Sequence, residues 1–212
     1  MQINFNFVYF SGSGKTVFVT KFLKNLDSMV NAEVEEIIWC YGVAQKMHSE
    51  LAEQLKIPIR FFEGVPRVED ISRNNSGPKI VVIDDLMGRY ANEIVDLFTM
   101  HSHHFNLSNL NCVQNVFHQS KGSRDISLNS HYIVFFNNPR DRAQISHFAR
   151  QIDPQNTKFI VEAYREATLK LYGYLLFDFT QTCDEDKRLR SNIFPGEINF
   201  AYVPKNTVAV YK

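Results

Sequence analysis

The chain has 212 residues, of which 44% are hydrophobic and 22% are charged, and its formal net charge is zero. This composition is typical of a globular protein and argues against a disordered or fibrous chain. It also excludes a molecule that attracts nucleic acid through its overall charge, so any such contact would need a local basic patch. The apolar runs "KIVVI" and "HYIVFF" are much shorter than the ~20 residues needed to cross a bilayer, so we expect no membrane segment.

The cysteines and the first residues indicate the compartment. The three cysteines are an odd number, and Cys40 and Cys112 lie within apolar runs, which predicts reduced and buried thiols. The opening "MQINFNFVYF" has no basic residue ahead of its apolar part, unlike a secretory signal. We therefore expect an intracellular protein of the cytoplasm or nucleus.

Apolar runs rich in Ile, Val, Phe and Tyr alternate along the chain with segments of helical periodicity. The predicted strands lie near residues 3–8, 36–41, 57–62, 79–84, 110–117, 131–136 and 172–179. The predicted helices lie over residues 15–29, 44–55, 89–101, 142–152 and 158–171. The charge cluster "CDEDKRLR" at 183–190 predicts a solvated loop.

This alternation predicts an α/β fold with a mostly parallel central sheet and right-handed crossovers. Continuous apolar runs such as "KIVVID" indicate strands that are covered on both faces. No repeat or convincing linker interrupts the pattern. We expect a single domain over residues 1–212, in which residues 172–212 complete the edge of the sheet.

A glycine-rich stretch follows the first predicted strand. "SGSGKT" carries the end of the phosphate-binding pattern G-x-x-x-x-G-K-[ST], in which backbone amides at the start of a helix hold phosphate. Lys15 would neutralise the β and γ phosphates, and the Thr16 hydroxyl would bind Mg²⁺. The predicted nucleotide-binding residues are Ser11, Gly12, Ser13, Gly14, Lys15 and Thr16.

The same loop departs from the pattern at its start, where Tyr9 replaces the first glycine. A tyrosine there would strain or shift the entrance of the loop at a cost of about 1–3 kcal/mol, without removing a phosphate ligand. We expect this departure to affect the rate of catalytic turnover more than the fold. The alternative is that "SGSGKT" is a chance occurrence in an ordinary loop.

A second motif ends the predicted strand over 79–84. "KIVVIDDL" places Asp84 at the tip of an apolar strand, the Walker B arrangement in which the carboxylate holds the magnesium shell opposite Thr16. The neighbouring Asp85 would orient or deprotonate the attacking water. The alternative is a buried strand that ends in an ordinary acidic turn. Because both motifs occur in the expected order, the sequence predicts a P-loop NTPase with ATP and Mg²⁺ as cofactors.

Two further classes of P-loop protein are less well supported by the sequence. "DDLMG" contains the D-x-x-G pattern of GTPases, but the chain has no N-K-x-D motif to read guanine, so a GTPase is disfavoured. A small-molecule kinase stays open as an alternative, although such a kinase usually carries an arginine-rich lid and nothing in the sequence supports one.

The block that follows the acidic strand resembles one family. "SHHFNLSNLNCVQNVFHQ" at 102–119, "RDISLNSHYIVFFNNPRDRAQISHFARQ" at 124–151 and the later "LRSNIFPGE" resemble the FtsK/HerA-type DNA-packaging ATPases of Polinton (Maverick) elements and adintoviruses, relatives of the poxvirus packaging ATPase. The resemblance covers nearly the whole chain and implies a RecA-like three-layer domain. Family members generally have Gly-Pro where this chain has Tyr9 and Phe10.

The resemblance also implies roles for two residues. Gln114 in "CVQNVF" would be the polar sensor at the tip of the strand beside the Walker B strand. Arg140 in "NNPRD" would be the arginine finger that is supplied to a neighbouring subunit. Arg142 and Arg150 are alternatives for the finger, and ordinary surface charge is an alternative explanation for all three arginines.

The resemblance further implies a homo-oligomeric ring that hydrolyses ATP to drive double-stranded DNA into a preformed capsid. Its partners would be DNA and capsid proteins, and it would act in the host nucleus or cytoplasm or in association with the virion. Two alternatives stay open. One is an ATPase relic that binds partners or DNA without turnover, which Tyr9 favours, and the weaker one is a nucleotide kinase.

Histidines and basic residues outside these motifs have plainer explanations. His101, His103 and His104 resemble a metal cluster, but structural zinc needs four ligands and the chain has no C-x-x-C. We expect these histidines to pack or to face DNA. Lys121 and Arg124 follow the predicted sensor strand, where either the DNA-facing side of a ring channel or a solvated loop is expected.

Overall fold

The structure, a computed structural model, describes residues 4–8, 13–44, 46–67, 70–71, 77–86, 89–101, 106–113 and 121–205. Its strands are β1 (Asn4–Val8), β2 (Glu36–Tyr41), β3 (Ile59–Glu63), β4 (Lys79–Asp84), β5 (Leu107–Val113), β6 (Tyr132–Phe136), β7 (Tyr174–Asp178), β8 (Leu189–Ser191) and β9 (Phe200–Ala201). They form one sheet in the order β3-β2-β4-β5-β1-β6-β7-β8-β9. The pairs from β3 to β6 are parallel, and β7, β8 and β9 add antiparallel strands at one edge.

The helices lie in the connections between these strands. They are α1 (Lys15–Lys24), α2 (Leu26–Met29), α3 (Lys46–Gln54), α4 (Ala91–Asp96), α5 (Lys121–Leu128), α6 (Ala143–Ile152) and α7 (Thr157–Ala167). A π-helical turn, Leu97–His101, continues α4, and a 3₁₀ turn covers Glu185–Lys187. Within the described part of the chain, none of the helices has both the length and the apolar character that a bilayer crossing requires.

Two apolar cores lie on opposite faces of the sheet. Side chains alternate along each strand, so Ile80 and Val82 of β4 belong to the core that includes α1, α2 and α3. Val81 and Ile83 belong to the other core, which includes α4, α5, α6 and α7. A mostly parallel sheet between two helical layers is the predicted α/β fold class, and this prediction is confirmed.

The strand predicted at 110–117 begins earlier, at Leu107. Two of its residues, Asn109 and Asn111, are polar and yet buried. The apolar pattern therefore places the start of this strand too late in the sequence. The Asn109 amide group donates hydrogen bonds to the Asn4 Oδ1 at 3.1 Å and to a backbone carbonyl at 3.2 Å. Pairing with Asn4 of β1 therefore provides a partner for the buried Asn109 amide nitrogen.

Two predicted helices have different limits in the structure. The helix predicted over 15–29 is interrupted at Asn25, whose side-chain amide donates to the Lys21 carbonyl at 2.8 Å. Asparagine competes with helical hydrogen bonding in this way, and the chain resumes as the short α2. The helix predicted over 158–171 ends at Ala167, and a turn then leads into β7.

Two polar segments contain regular structure that the sequence pattern does not predict. Lys121 and Arg124 lie on helix α5, where Gly122 allows a close approach to α4: a Cβ at this position would lie 2.2 Å from the Val95 side chain. The segment 183–190 was predicted to be a solvated loop, and it contains the 3₁₀ turn and the start of β8. In both cases tertiary packing outweighs a polar local sequence.

Candidate functional site

Helix α1 begins directly after a glycine. Gly14 is its N-cap residue, with φ 109°, and the Gly14 carbonyl accepts a hydrogen bond from the Phe18 amide at 2.9 Å. A side chain at this position would also collide with Tyr172, whose side-chain atoms lie 2.7 Å from the place of a Cβ. Glycine is therefore required here for both its backbone conformation and its size.

The first turn of α1 has the donors of an anion site. Amides at the start of a helix have no partner within the helix, and the helix dipole adds positive potential there. The Ser13 Oγ is buried and has no hydrogen-bond partner among the described residues. Thr16 lies half-buried in the same turn. Four of the predicted nucleotide-binding residues therefore lie at one helix end.

The sheet brings this helix end next to the acidic end of β4. β1 leads towards α1 and β4 ends at Asp84, and because these strands run in parallel, their carboxyl ends lie at one edge of the sheet. β5 lies between them and pairs with both. The predicted sensor strand is therefore next to the Walker B strand, although Gln114 lies outside the described residues.

Lys15 and Asp84 meet at this edge. The Lys15 Nζ donates a hydrogen bond to the Asp84 Oδ1 and forms an ion pair with it. Only 14% of the lysine side chain and 7% of the aspartate side chain are exposed. The two sequence motifs thus converge at one point, where both side chains can contact a single ligand.

The groups around Lys15 keep its amine protonated. Burial favours the neutral amine, but neighbouring negative groups outweigh this effect and raise the pKa of Lys15 above its usual 10.5. Burial also raises the pKa of the adjacent Cys112 thiol, and Asp84 and Asp85 are the carboxylates next to the lysine. Lys15 is therefore a cation at neutral pH, which suits a phosphate-binding lysine.

Asp85 has a left-handed backbone, with φ 57°. Its amide donates a hydrogen bond to the Cys112 carbonyl of β5 at 3.3 Å, which fixes the turn after β4 against the neighbouring strand. Aspartate adopts this conformation more readily than most residues because its side chain is short and polar. The turn leaves Asp85 exposed to solvent next to the Lys15–Asp84 pair.

The donors at this point fit a Mg²⁺ ion that is bound largely through its substrate. Among the described residues, no group of three or more His, Cys, Asp or Glu side chains converges as a self-contained metal site. Mg²⁺ commonly uses one or two carboxylates together with phosphate oxygens and water. Asp84 would supply the carboxylate and Thr16 the hydroxyl, which is the predicted metal-binding pair.

Arg140 follows β6, the strand on the other side of β1, and lies at the same edge of the sheet. It is exposed, and its amide donates a hydrogen bond to the Asn138 Oδ1 at 3.1 Å. Tyr164 fixes this loop, because its hydroxyl donates to the Phe136 carbonyl at 2.9 Å and accepts from the Asn138 amide at 3.0 Å. The two alternative arginines are exposed to solvent as well.

Several predicted residues lie outside the described part of the chain. They are Tyr9, Phe10, Ser11, Gly12, His103, His104 and Gln114. The roles assigned to these residues stay predictions. The described members of the predicted site are Ser13, Gly14, Lys15, Thr16, Asp84, Asp85 and Arg140. Their catalytic and binding roles are also predictions.

One residue that the sequence analysis did not single out borders the site. Tyr172 lies in the turn after α7, has φ 60° and packs against Gly14. A left-handed tyrosine is uncommon, because its side chain is crowded by its own backbone, and such residues concentrate at functional sites. No local motif marks it, since the contact joins positions that are far apart in the sequence.

Comparison with solved structures finds distant structural likeness. No family model and no curated protein matches the chain. The X-ray structure of the Legionella pneumophila ATPase DotB is similar to it with a TM-score of 0.38 and 10% sequence identity, over 78% of this chain and 52% of the DotB chain. The chain thus spans about half the length of that protein. A likeness this remote does not indicate function, and the family resemblance drawn from the sequence stays a prediction.

Proposed function

We propose that the chain binds and hydrolyses ATP, together with Mg²⁺, at the N-terminus of α1. The observation that carries this proposal is the contact between Lys15 and Asp84. It joins a predicted phosphate-binding lysine to a predicted metal-binding carboxylate at the carboxyl edge of a parallel sheet, where α/β proteins bind their ligands. A shared ATP and Mg²⁺ site requires these two side chains to lie next to each other.

Lys15 and Asp84 would exchange partners when the nucleotide binds. The triphosphate competes with Asp84 for the Lys15 ammonium, which then neutralises charge on the β and γ phosphates. The Asp84 carboxylate, no longer paired with the lysine, becomes available together with the Thr16 hydroxyl as a ligand for Mg²⁺. A bound Mg²⁺ ion would supply further neutralisation of the phosphate oxygens.

Asp85 is suited to activate the attacking water. Its carboxylate is exposed beside the Lys15–Asp84 pair, and the hydrogen bond from its amide to β5 fixes the turn that carries it. It would orient the water and accept its proton as the bond to the γ phosphorus forms. The bond between the β–γ bridging oxygen and that phosphorus then breaks, which yields ADP and phosphate.

A narrower role as a DNA-packaging motor is supported by the family resemblance of residues 102–151. In this role the chain forms a ring, Arg140 reaches the nucleotide of the next subunit, and hydrolysis moves double-stranded DNA into a capsid. Because the net charge is zero, DNA contact would depend on a local surface. Helix α5 is the candidate for this surface, since it follows the predicted sensor strand and carries Lys121 and Arg124.

Phosphate release in the presence and absence of duplex DNA tests both the proposed ATPase activity and the narrower role as a DNA-packaging motor. We would compare the native chain with Lys15→Ala and with Lys24→Ala, a matched control on the exposed side of the same helix. The proposal predicts hydrolysis by the native chain and by Lys24→Ala, DNA stimulation in both, and loss of both activities in Lys15→Ala.

The other outcomes identify the alternatives. If the chain hydrolyses ATP but DNA does not stimulate the rate, the result would support the ATPase activity and contradict the packaging motor. Stimulation by a nucleoside would indicate a nucleotide kinase. The absence of hydrolysis in the native chain, under conditions in which ATP binds, would indicate a relic that has kept the fold without turnover.

A further inference from the structure

A cavity of about 500 Å³ opens beside the first turn of α1. It lies between this helix, the turn after α7 and the segment that follows β8. Its lining includes Gly14, Val17, Tyr172, Tyr174, Phe194 and Phe200. This volume is within the range of small-molecule sites, and a mostly apolar lining with a few polar groups is typical of them.

The cavity concentrates exposed apolar surface. Half of the large hydrophobic side chains that are exposed in the described residues line it, namely Val17, Leu171, Tyr172, Ile198 and Phe200. Leu171 and Ile198 are 82% and 76% exposed. Clusters of exposed apolar side chains are typical of surfaces that bind a ligand or a partner.

The position of the cavity identifies the part of a nucleotide that would reach it. On α1 it is bordered by Gly14, Val17, Phe18 and Lys21, which form one face of the helix. The Lys15–Asp84 contact lies towards β4, whereas Tyr174 of β7 lines the cavity on the opposite side of β1. A triphosphate held at the helix end with its γ phosphate towards Asp84 would therefore extend its nucleoside towards the cavity.

The lining also has the chemistry that an aromatic base requires. Tyr172 covers Gly14 with one side of its side chain and keeps 45% of its surface exposed. The Lys21 ammonium, which is paired with Glu197, lies 4.7 Å from the centre of the Phe194 ring and provides a polar border. Asn192, which like Tyr172 has a left-handed backbone, adds a polar side chain. Aromatic planes stack on bases, and polar groups at the border orient them.

We propose that this cavity takes the base of the nucleoside triphosphate and that Tyr172 is the residue on which the base stacks. This proposal rests on the proposed function, because the triphosphate must lie at the start of α1. It assigns the turn after α7 and the segment after β8 to nucleotide recognition. Neither segment contains a residue of the phosphate or metal motifs.

Binding of ATP and of inorganic tripolyphosphate, measured by calorimetry on the full chain, separates the base from the phosphates. The informative variant is Tyr172→Gly, which removes the ring at a position whose φ of 60° suits glycine. Tyr172→Phe keeps the ring. Leu169→Ala is the matched control, since Leu169 is 81% exposed on the same turn and does not line the cavity.

The proposal predicts that Tyr172→Gly weakens ATP binding by about 5- to 150-fold and leaves the affinity for tripolyphosphate unchanged. Tyr172→Phe should recover most of the ATP affinity that Tyr172→Gly loses, and Leu169→Ala should bind both ligands as the native chain does. Equal ATP affinity in native and Tyr172→Gly chains, or an equal loss for both ligands, would overturn the base site while ATP binding itself stands. If the native chain bound neither ligand, the proposed function would fail first, and the base site with it.

Discussion

The contact between Lys15 and Asp84 joins residues that are 69 positions apart in the sequence. Each was predicted from its own motif, because a phosphate loop and an acidic strand tip have recognisable local sequences. Their meeting was predicted only by analogy with other P-loop proteins. The structure supplies the physical reason: β1 and β4 are parallel, one strand apart, and both end at the same edge.

Asp85 provides a test of catalysis that leaves the backbone undisturbed. Asparagine tolerates the left-handed conformation about as well as aspartate, so Asp85→Asn should remove the charge and keep the turn. We expect hydrolysis to fall by about 10²- to 10⁴-fold if the carboxylate is the general base. Urea denaturation should show an unchanged free energy of unfolding. Native-like turnover in a folded Asp85→Asn chain would remove Asp85 from the mechanism.

His48 on α3 predicts a pH dependence of stability. His48 is 7% exposed, and its ring stacks on Phe61 at 5.0 Å. Burial lowers the pKa of His48 below the usual 6.5, although Asp84 acts in the opposite direction. As the pH falls below about 6.5, the unfolded chain takes up this proton before the folded chain does, so the free energy of unfolding decreases. The slope from one such group has an upper limit of about 1.4 kcal/mol per pH unit.

The corresponding measurement is the free energy of unfolding between pH 7.5 and 5.5. His48→Leu should flatten this part of the profile, because leucine does not titrate. His147→Leu is the control, since His147 lies exposed on α6. Profiles of equal slope in the native chain and in His48→Leu would show that another group is responsible for the decrease.

At the scale of elements, local sequence predicts those strands and helices that carry an apolar pattern. The strands at 36–41 and 79–84 have the predicted limits, because each is a continuous apolar run covered on both faces. Helix α5 was missed because "KGSRDISL" is mostly polar and contains a glycine. Its position depends on Gly122 packing against Val95, a contact that no window of local sequence contains.

Helix α1 is held to the sheet by aromatic packing around Phe18. This side chain is 3% exposed and makes edge-to-face contacts with Phe136, Tyr174 and Phe194 at ring distances of 5.7, 4.8 and 4.9 Å. These contacts fix the helix whose first turn carries Gly14 and Lys15. The position of the phosphate-binding residues therefore depends on a core residue within the same helix.

Phe18→Ala should lower the free energy of unfolding by about 3–5 kcal/mol, because it opens a cavity in this aromatic cluster. Val17→Ala on the same helix should have a much smaller effect, since Val17 is 49% exposed. Chemical denaturation of the two variants measures the difference. A small and equal loss in both would mean that the aromatic cluster does not anchor α1.

At the scale of the whole molecule, the sheet order aligns the parts of the proposed site along one edge. Asp84 lies on one side of β1, and Arg140 and the cavity bordered by Tyr172 lie on the other. The sequence predicted the members that carry motifs or a family resemblance. It did not predict Tyr172, because its significance comes from the C-terminal strands that bring it against Gly14.

Arg140 is predicted to act on the nucleotide of another subunit, so its test depends on the assembled molecule. Arg140→Ala should lower hydrolysis by about 10³- to 10⁵-fold, whereas Arg142→Ala should leave it near the native rate. Mixing Arg140→Ala with Lys15→Ala should restore part of the activity. One variant then keeps an intact phosphate loop, and the other supplies the arginine. A mixture that assembles but stays inactive would contradict a finger that acts between subunits.

The most direct test of the account is the affinity for ATP with and without Mg²⁺ in the native chain, in Lys15→Ala and in Asp84→Asn. If both side chains contact one nucleotide, Lys15→Ala should bind ATP more weakly under both conditions. Asp84→Asn should bind ATP without Mg²⁺ at least as well as the native chain and should lose the gain that Mg²⁺ gives. An Asp84→Asn chain that keeps the full effect of Mg²⁺, or a Lys15→Ala chain that binds as tightly as the native one, would contradict a shared ATP and Mg²⁺ site.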